Sequence, residues 1–260
     1  VGDQEFDITK AAASMCKYAV MLEKPEDIRY ILERAYHLAT TGRRGPSWVD
    51  IPVDFQGLVI ETEHLRGYHP AEENAIEEYT IEEVLERIKH AKRPVFYAGN
   101  GIRLSGGYEE FRRFVEQMQL PVVTGWDSID LIEDTHPLYV GRGGIMGDRA
   151  GNFAVQNADL ILAVGNRLSI RQVGYNWKSW AREAYVIMVD IDPAELKKTT
   201  LHVELPICAD ACEFLAAMNR KEAELCREEE KKVMEQEKVL KKQMAWRSRC
   251  AEWKQKYPVT

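Results

Sequence analysis

Residues 93–101 read RPVFYAGNG, an apolar run too short for a helix and closed by two glycines, which is how a buried strand running into a tight turn is written. The same pattern returns three times downstream, as PVVTGW at 121–126, LILAVGNR at 160–167 and YVIMVDIDP at 185–193. The strands expected are therefore Val95–Ala98, Pro121–Thr124, Leu160–Val164 and Tyr185–Asp190. Helical spacing of apolar residues fills the gaps, with helices expected over Tyr108–Gln119 and Arg149–Ala158. Another precedes the first strand at Ile81–Ala91, where Thr80 and Glu83 are spaced as a capping box and Arg93-Pro94 supplies the stop. A last one covers Asp210–Asn219. Short apolar strands alternating with helices need a parallel sheet covered on both faces, so the fold class is α/β, a doubly wound, Rossmann-like parallel sheet.

Outside this block the signals thin out. Residues 25–41 have helical periodicity with Pro25 in the first turn, residues 41–46 (TGRRGP) stop it, and Ser47–Pro52 alternates as a short strand. Residues 56–78 turn acidic and lose periodicity, as a linker does. Residues 220–243 are dense in Lys and Glu and read as a solvated helix. Trp246 and Trp253, seven residues apart, give the last stretch one apolar face, expected to dock on a neighbouring domain. The chain opens at Val1 with no targeting segment in view and reads as a piece of something longer.

Composition narrows the function classes. An apolar share of 45% with 30% charged residues is that of a globular chain, and no apolar run is long enough to span a bilayer. A formal net charge of -7 argues against a nucleic-acid surface, which needs a basic face. The 5 cysteines (Cys16, Cys208, Cys212, Cys226, Cys250) include no pair of CxxC units and are expected as reduced thiols of a cytoplasmic protein. The 6 histidines are scattered, so no metal or nucleophile constellation is expected.

In a doubly wound sheet, ligands sit beyond the carboxyl ends of the strands, where glycine lets backbone approach a phosphate and an acidic residue takes ribose hydroxyls. Four strand ends carry such residues: Gly99-Asn100-Gly101, Thr124-Gly125-Trp126, Gly165-Asn166-Arg167 and Asp190-Ile191-Asp192. A fifth, glycine-rich loop runs from Gly141 to Gly147. Arg167 and Arg171 are candidates to clamp a diphosphate.

Taken together, residues 41–56 (TGRRGPSWVDIPVDFQ), 93–192 and 245–258 (AWRSRCAEWKQKYP) resemble the acetolactate-synthase branch of the thiamine-diphosphate-dependent enzymes. The resemblance implies residues 1–60 as the C-terminal part of a pyrimidine-binding domain, 61–79 as a linker, 80–220 as the central nucleotide-fold domain and 221–260 as a charged helical tail leading to a diphosphate-binding domain. It implies a parent, a transferase or lyase, that joins or decarboxylates 2-oxo acids as a cytoplasmic homo-oligomer (dimer or tetramer). Thiamine diphosphate and magnesium would be held outside this chain, with no catalytic and no metal-binding residue within it. In members that bind FAD, the contacts fall at Arg43, Gly99, Asn100, Gly101, Thr124, Gly125, Met146, Gly147, Gly165, Asn166, Arg167, Arg171, Asp190, Ile191, Asp210 and Ala211. The pattern is broken in three places. Ser169-Ile170 replaces an acidic pair, Met146 a histidine and Trp126 a smaller residue, and other relatives hold ADP or nothing there. A self-standing nucleotide-binding or regulatory module is the alternative.

Overall fold

The structure, a computed structural model of the 260-residue chain, describes residues 6–71, 76–229 and 236–258, with the side chains of 226–229 and 236–238 left out. Cys226 and the middle of the charged tail therefore lie outside the described residues. The chain divides into two compact units, residues 1–75 and 76–260.

The first unit is one βαβ turn. Helix α1 (Ile8–Ala12) leads to β1 (Tyr18–Met21), α2 (Ile28–Thr40) crosses over, and β2 (Ser47–Asp50) pairs with β1 in parallel, Tyr18 opposite Ser47 and Met21 opposite Asp50; α3 (Val53–Gln56) follows. Pro25 opens a 3-10 turn ahead of α2, where a fixed φ and a missing N–H cost nothing. Residues 57–71 form no helix or strand, yet they are tied to α2: Tyr68 N donates to Glu33 Oε2 at 2.7 Å, and the Arg66 guanidinium lies 3.9 Å from the centre of the Tyr30 ring.

The second unit carries the sheet. In chain order it runs α4 (Glu78–His90), β3 (Pro94–Ala98), α5 (Gly101–Leu104), α6 (Tyr108–Met118), β4 (Val122–Thr124), β5 (Tyr139–Arg142), α7 (Arg149–Asn157) and β6 (Leu160–Val164). It continues with α8 (Ile170–Val173), β7 (Tyr185–Asp190), α9 (Pro193–Leu196), β8 (Leu205–Cys208), α10 (Ala211–Glu229) and α11 (Gln236–Lys256). The six strands are all parallel in the order β5-β4-β3-β6-β7-β8, so strand order reverses between β3 and β6. The two-residue period of β3 shows why both faces must be covered. Phe96 and Ala98 enter one core with residues of α4, α6 and α10, while Val95 and Tyr97 enter a second with residues of α7 and α11.

Three expectations need correction. Thr80 and Glu83 form no capping box: α4 starts earlier, at Glu78, without a side-chain cap, and Glu83 pairs with Arg87 at 2.7 Å. The buried stripe Ile81, Val84, Leu85 and Ile88 places the helix whatever its cap. The Ser-x-x-Gln signature that does close a box is Ser169–Gln172, at the start of α8. The charged tail is not uniformly solvated, because α10 continues to Glu229 and Glu222 is buried with Lys89 at 3.3 Å. Finally, the Trp246–Trp253 face docks on its own unit: Trp246 is buried, its Nε1 donates to Pro94 O at 3.1 Å, and Trp253 meets it edge-on at 5.7 Å.

In the first unit β1 has no counterpart among the expected strands, and in the six-stranded sheet β5 and β8 have none; these two are its edges. One carries Gly141 and the other Pro206, residues that read as breakers but that an edge tolerates, since one side of an edge strand forms no ladder.

Candidate nucleotide site at the carboxyl edge

Fifteen of the sixteen candidate residues belong to the second unit, on the strand ends and loops of one edge; Arg43 belongs to the first unit. At the reversal point two loops meet. Gly101 N donates to Gly165 O at 2.9 Å, and a Cβ on Gly99 would lie 2.2 Å from Asn166 Cα and from Gly165 O. Gly165 has φ +58, and a Cβ there would lie 2.7 Å from Gly101 Cα. Part of the glycine signal is thus spent on packing loop against loop. Asn166, buried, donates from Nδ2 to Ala98 O at 3.3 Å and ties the same two strand ends together.

The fifth loop is built rather than loose. Asp148 Oδ2 accepts from Arg142 N at 2.9 Å and its Oδ1 from the Arg142 guanidinium at 2.8 Å. Burial alone would raise the Asp148 carboxyl, but these bonds outweigh it and hold it below the usual carboxylate range. Asn152 clasps Gly144 through Gly144 N at 2.8 Å and Gly144 O at 3.0 Å. Ile145 N donates to Arg171 O at 2.8 Å, which seals the loop onto α8. Gly147 packs under Arg142, whereas Met146 points to solvent, 70% exposed.

The acidic candidates are engaged with backbone. Asp190 Oδ1 accepts from Asp192 N at 3.0 Å, and Asp210 Oδ1 accepts from Cys212 N at 2.8 Å and Glu213 N at 3.2 Å, capping α10 next to the buried Ala211. Ile191 O takes the Cys208 thiol at 3.8 Å. Thr124 Oγ1 shares a hydrogen with the Tyr139 hydroxyl at 3.3 Å, and Gly125 N donates to Ala98 O at 3.0 Å. Burial first, then neighbouring carboxylates, push the Cys208 and Cys212 thiols up, away from nucleophilic use. Among the described residues no group of His, Cys, Asp and Glu is arranged to hold a metal ion.

The two arginines have partners of their own. Arg167, with φ +64, reaches the buried Glu195, which also pairs with Lys198, and Lys198 Nζ donates to Arg167 O at 2.7 Å. Burial would raise the Glu195 carboxyl; Lys198 and then Arg167 outweigh it and hold it low. Arg171 lies 5.0 Å from the centre of the Trp126 ring, a cation–π contact. Sequence reading missed Glu195, although an acid in the first turn after Asp192-Pro193 was there to be seen. As donors these residues fit a diphosphate. The Arg167 side chain is 54% exposed, so its guanidinium has an open side, and Arg171 stands across the same edge.

Two cavities lie at the opposite, amino edge. One of 180 Å³ sits where α11 covers the entrances to β4 and β5, and one of 460 Å³ where residues 177–184 and 199–204 meet ahead of β7 and β8. Neither touches the candidate loops.

Comparison with known proteins agrees with this architecture. The family model described as "Thiamine pyrophosphate enzyme, central domain" matches residues 81–218. An acetolactate synthase large subunit of Corynebacterium glutamicum is 37% identical over 220 residues, 83% of this chain and 34% of that protein. The acetolactate synthase large subunit of Lactococcus lactis is 36% identical, over 84% of this chain and 37% of its own length. A probable acetolactate synthase large subunit of Methanocaldococcus jannaschii is 35% identical, with 80% and 36% covered. This chain thus spans about a third of the length of the curated relatives it matches. No helix among the described residues is long and apolar enough to cross a membrane. A six-stranded parallel sheet reversing between β3 and β6, matched over its length by that family model, places the chain in the thiamine pyrophosphate enzyme family through the family's central domain.

Proposed function

We propose that this chain is the central portion of a cytoplasmic, homo-oligomeric thiamine-diphosphate-dependent enzyme that acts on 2-oxo acids, an acetolactate-synthase-like carboligase or a decarboxylase. What carries the reading is the match of residues 81–218 to the central-domain family together with relatives named acetolactate synthases. In this proposal thiamine diphosphate supplies the carbanion chemistry, held with magnesium by parts of the parent that correspond to no stretch of these 260 residues. Residues 1–60 supply the end of a pyrimidine-binding domain, 61–79 a linker, 80–220 the frame, and 221–260 the lead into the next domain. The isolated 260-residue chain is expected to show no pyruvate consumption with thiamine diphosphate and magnesium; turnover by the verified chain would overturn the division of labour.

The carboxyl edge is the place where a dinucleotide or ADP would lie, across Gly99–Gly101 and Gly165–Arg167 with its diphosphate at Arg167 or Arg171. Support comes from the reversal of strand order at these loops and from two half-open guanidinia beside them. Arg167→Ala should weaken FAD or ADP binding by about 1–3 kcal/mol, the scale of a charge-assisted hydrogen bond. Calorimetric titration of the wild type and the variant checks it, and equal affinities would move the site elsewhere.

A further inference from the structure

The 460 Å³ cavity at the amino edge falls within the size range of small-molecule pockets and has a lining with two distinct chemistries. Its wall is apolar and aromatic: Trp177, Trp180, Ala181, Ala184, Val186 and Leu201. Its rim is cationic. Several arginines of the second unit are ion-paired, as with Arg87 and Glu83, Arg103 and Asp130, or Arg112 and Glu133. Lys178 and Arg182, both exposed on the rim, have no carboxylate partner among the described residues. The one acid in the lining, Glu204, is already engaged, its Oε2 accepting from Val186 N at 2.7 Å and its Oε1 facing His202 at 3.3 Å.

Two further observations mark the wall as built for something. Trp180 is 7% exposed, and its indole Nε1 is buried without an acceptor among the described residues. The next residue, Ala181, is 4% exposed and held at φ +45, a left-handed conformation that a residue with a Cβ adopts only when its surroundings impose it.

We propose that this cavity binds a small organic anion with a flat apolar body, an aromatic carboxylate. The body would lie against the Trp177 and Trp180 indoles and the carboxylate would be met by Lys178 and Arg182, with the Thr199 and Thr200 hydroxyls at the same mouth. The site is independent of the nucleotide reading, since the loops at the carboxyl edge contribute no residue to it.

The test uses the whole 260-residue chain with trans-cinnamate as probe and cinnamamide as its uncharged counterpart, by calorimetry and by amide shift mapping. Expected is saturable one-to-one binding of cinnamate with Kd of about millimolar or tighter. The amide should bind about tenfold more weakly, with shifts confined to residues 177–186 and 199–204. Lys178→Ala and Arg182→Ala, both at exposed positions, should each weaken cinnamate about threefold or more while leaving the melting temperature in place. Absence of saturation, equal affinity for the amide, unchanged affinity in both cation variants, or shifts centred on the smaller cavity would each reject the site.

Discussion

The two units answer the same problem, how to bury a parallel sheet, with opposite success. In the second, six strands have helices on both faces, and β3, β6 and nearly all of β7 are buried. In the first, a two-stranded sheet with one crossover helix leaves Met21, Leu32, Tyr36, Trp48 and Val53 exposed, Val53 at 83%. Strand and helix formation alone do not make a core; the number of strands sharing one sheet decides whether apolar residues find cover. That difference is open to direct attack.

The strongest blow falls on the central strand. Phe96 is fully buried between Phe111 and Phe114, with ring centres at 5.2 and 6.1 Å. Phe96→Ala should cost about 3–5 kcal/mol in urea unfolding, whereas Leu32→Ala, at a 47% exposed position of α2, should cost about 1 kcal/mol or less. Similar losses at both positions would erase the contrast.

Glycines give a smaller and sharper comparison. Gly99→Ala puts a Cβ 2.2 Å from the backbone of the facing loop, and backbone on both sides leaves little room to yield. A loss of about 2–3 kcal/mol is expected. Gly57, at φ -96 with open space for 4 Å around the position a Cβ would take, should accept alanine with no loss or a gain of a few tenths of a kcal/mol. Chemical denaturation of the two variants reads both numbers.

The smallest effect is electrostatic. Asp148 ionises more readily in the folded chain than in the unfolded one, so its contribution is fully present above the unfolded value of about 3.9 and is lost as pH falls through the lower folded value. Asp148→Asn should cost about 1–2 kcal/mol at pH 7 and progressively less below pH 4. Its counterpart in the first unit, Asp7, is held down to about 2 by the Lys10 side chain, then by the Lys10 N–H and by Thr9, but stands on the surface. Its shift should shrink in salt, while the stability term at Asp148 persists, as carboxyl chemical shifts and pH-dependent unfolding at two ionic strengths would show.

How much of this could be read in advance follows the same division. The four inner strands carry long buried apolar runs and were legible from residues alone, as was the doubly wound class. The edges were not, because Gly141 and Pro206 are penalised by local rules whose force depends on neighbours a sequence does not reveal. The candidate site was legible as a set of loops and much less as chemistry. Glycines that allow a ligand to approach also allow two loops to touch, and at Gly99 and Gly165 the structure shows the second use. The acids at 190 and 210 mark strand and helix ends, where backbone N–H groups compete for the same carboxylate oxygens. Glu195 escaped notice because its importance comes from Arg167, 28 residues earlier in sequence and adjacent only after folding.

The bond from Trp246 to Pro94 joins residues 152 positions apart, and it sets a timetable for synthesis. All six strands have been made once Cys208 is joined, but one face of the sheet awaits α11. At about 5–20 residues per second, adding the 48 residues from Cys208 to the end of α11 at Lys256 takes roughly 2–10 s. For that interval the nascent chain displays the apolar surface that Trp246 and Trp253 later cover, a natural moment for chaperone capture. A message cut just before the codon for Gln236 would make that moment permanent.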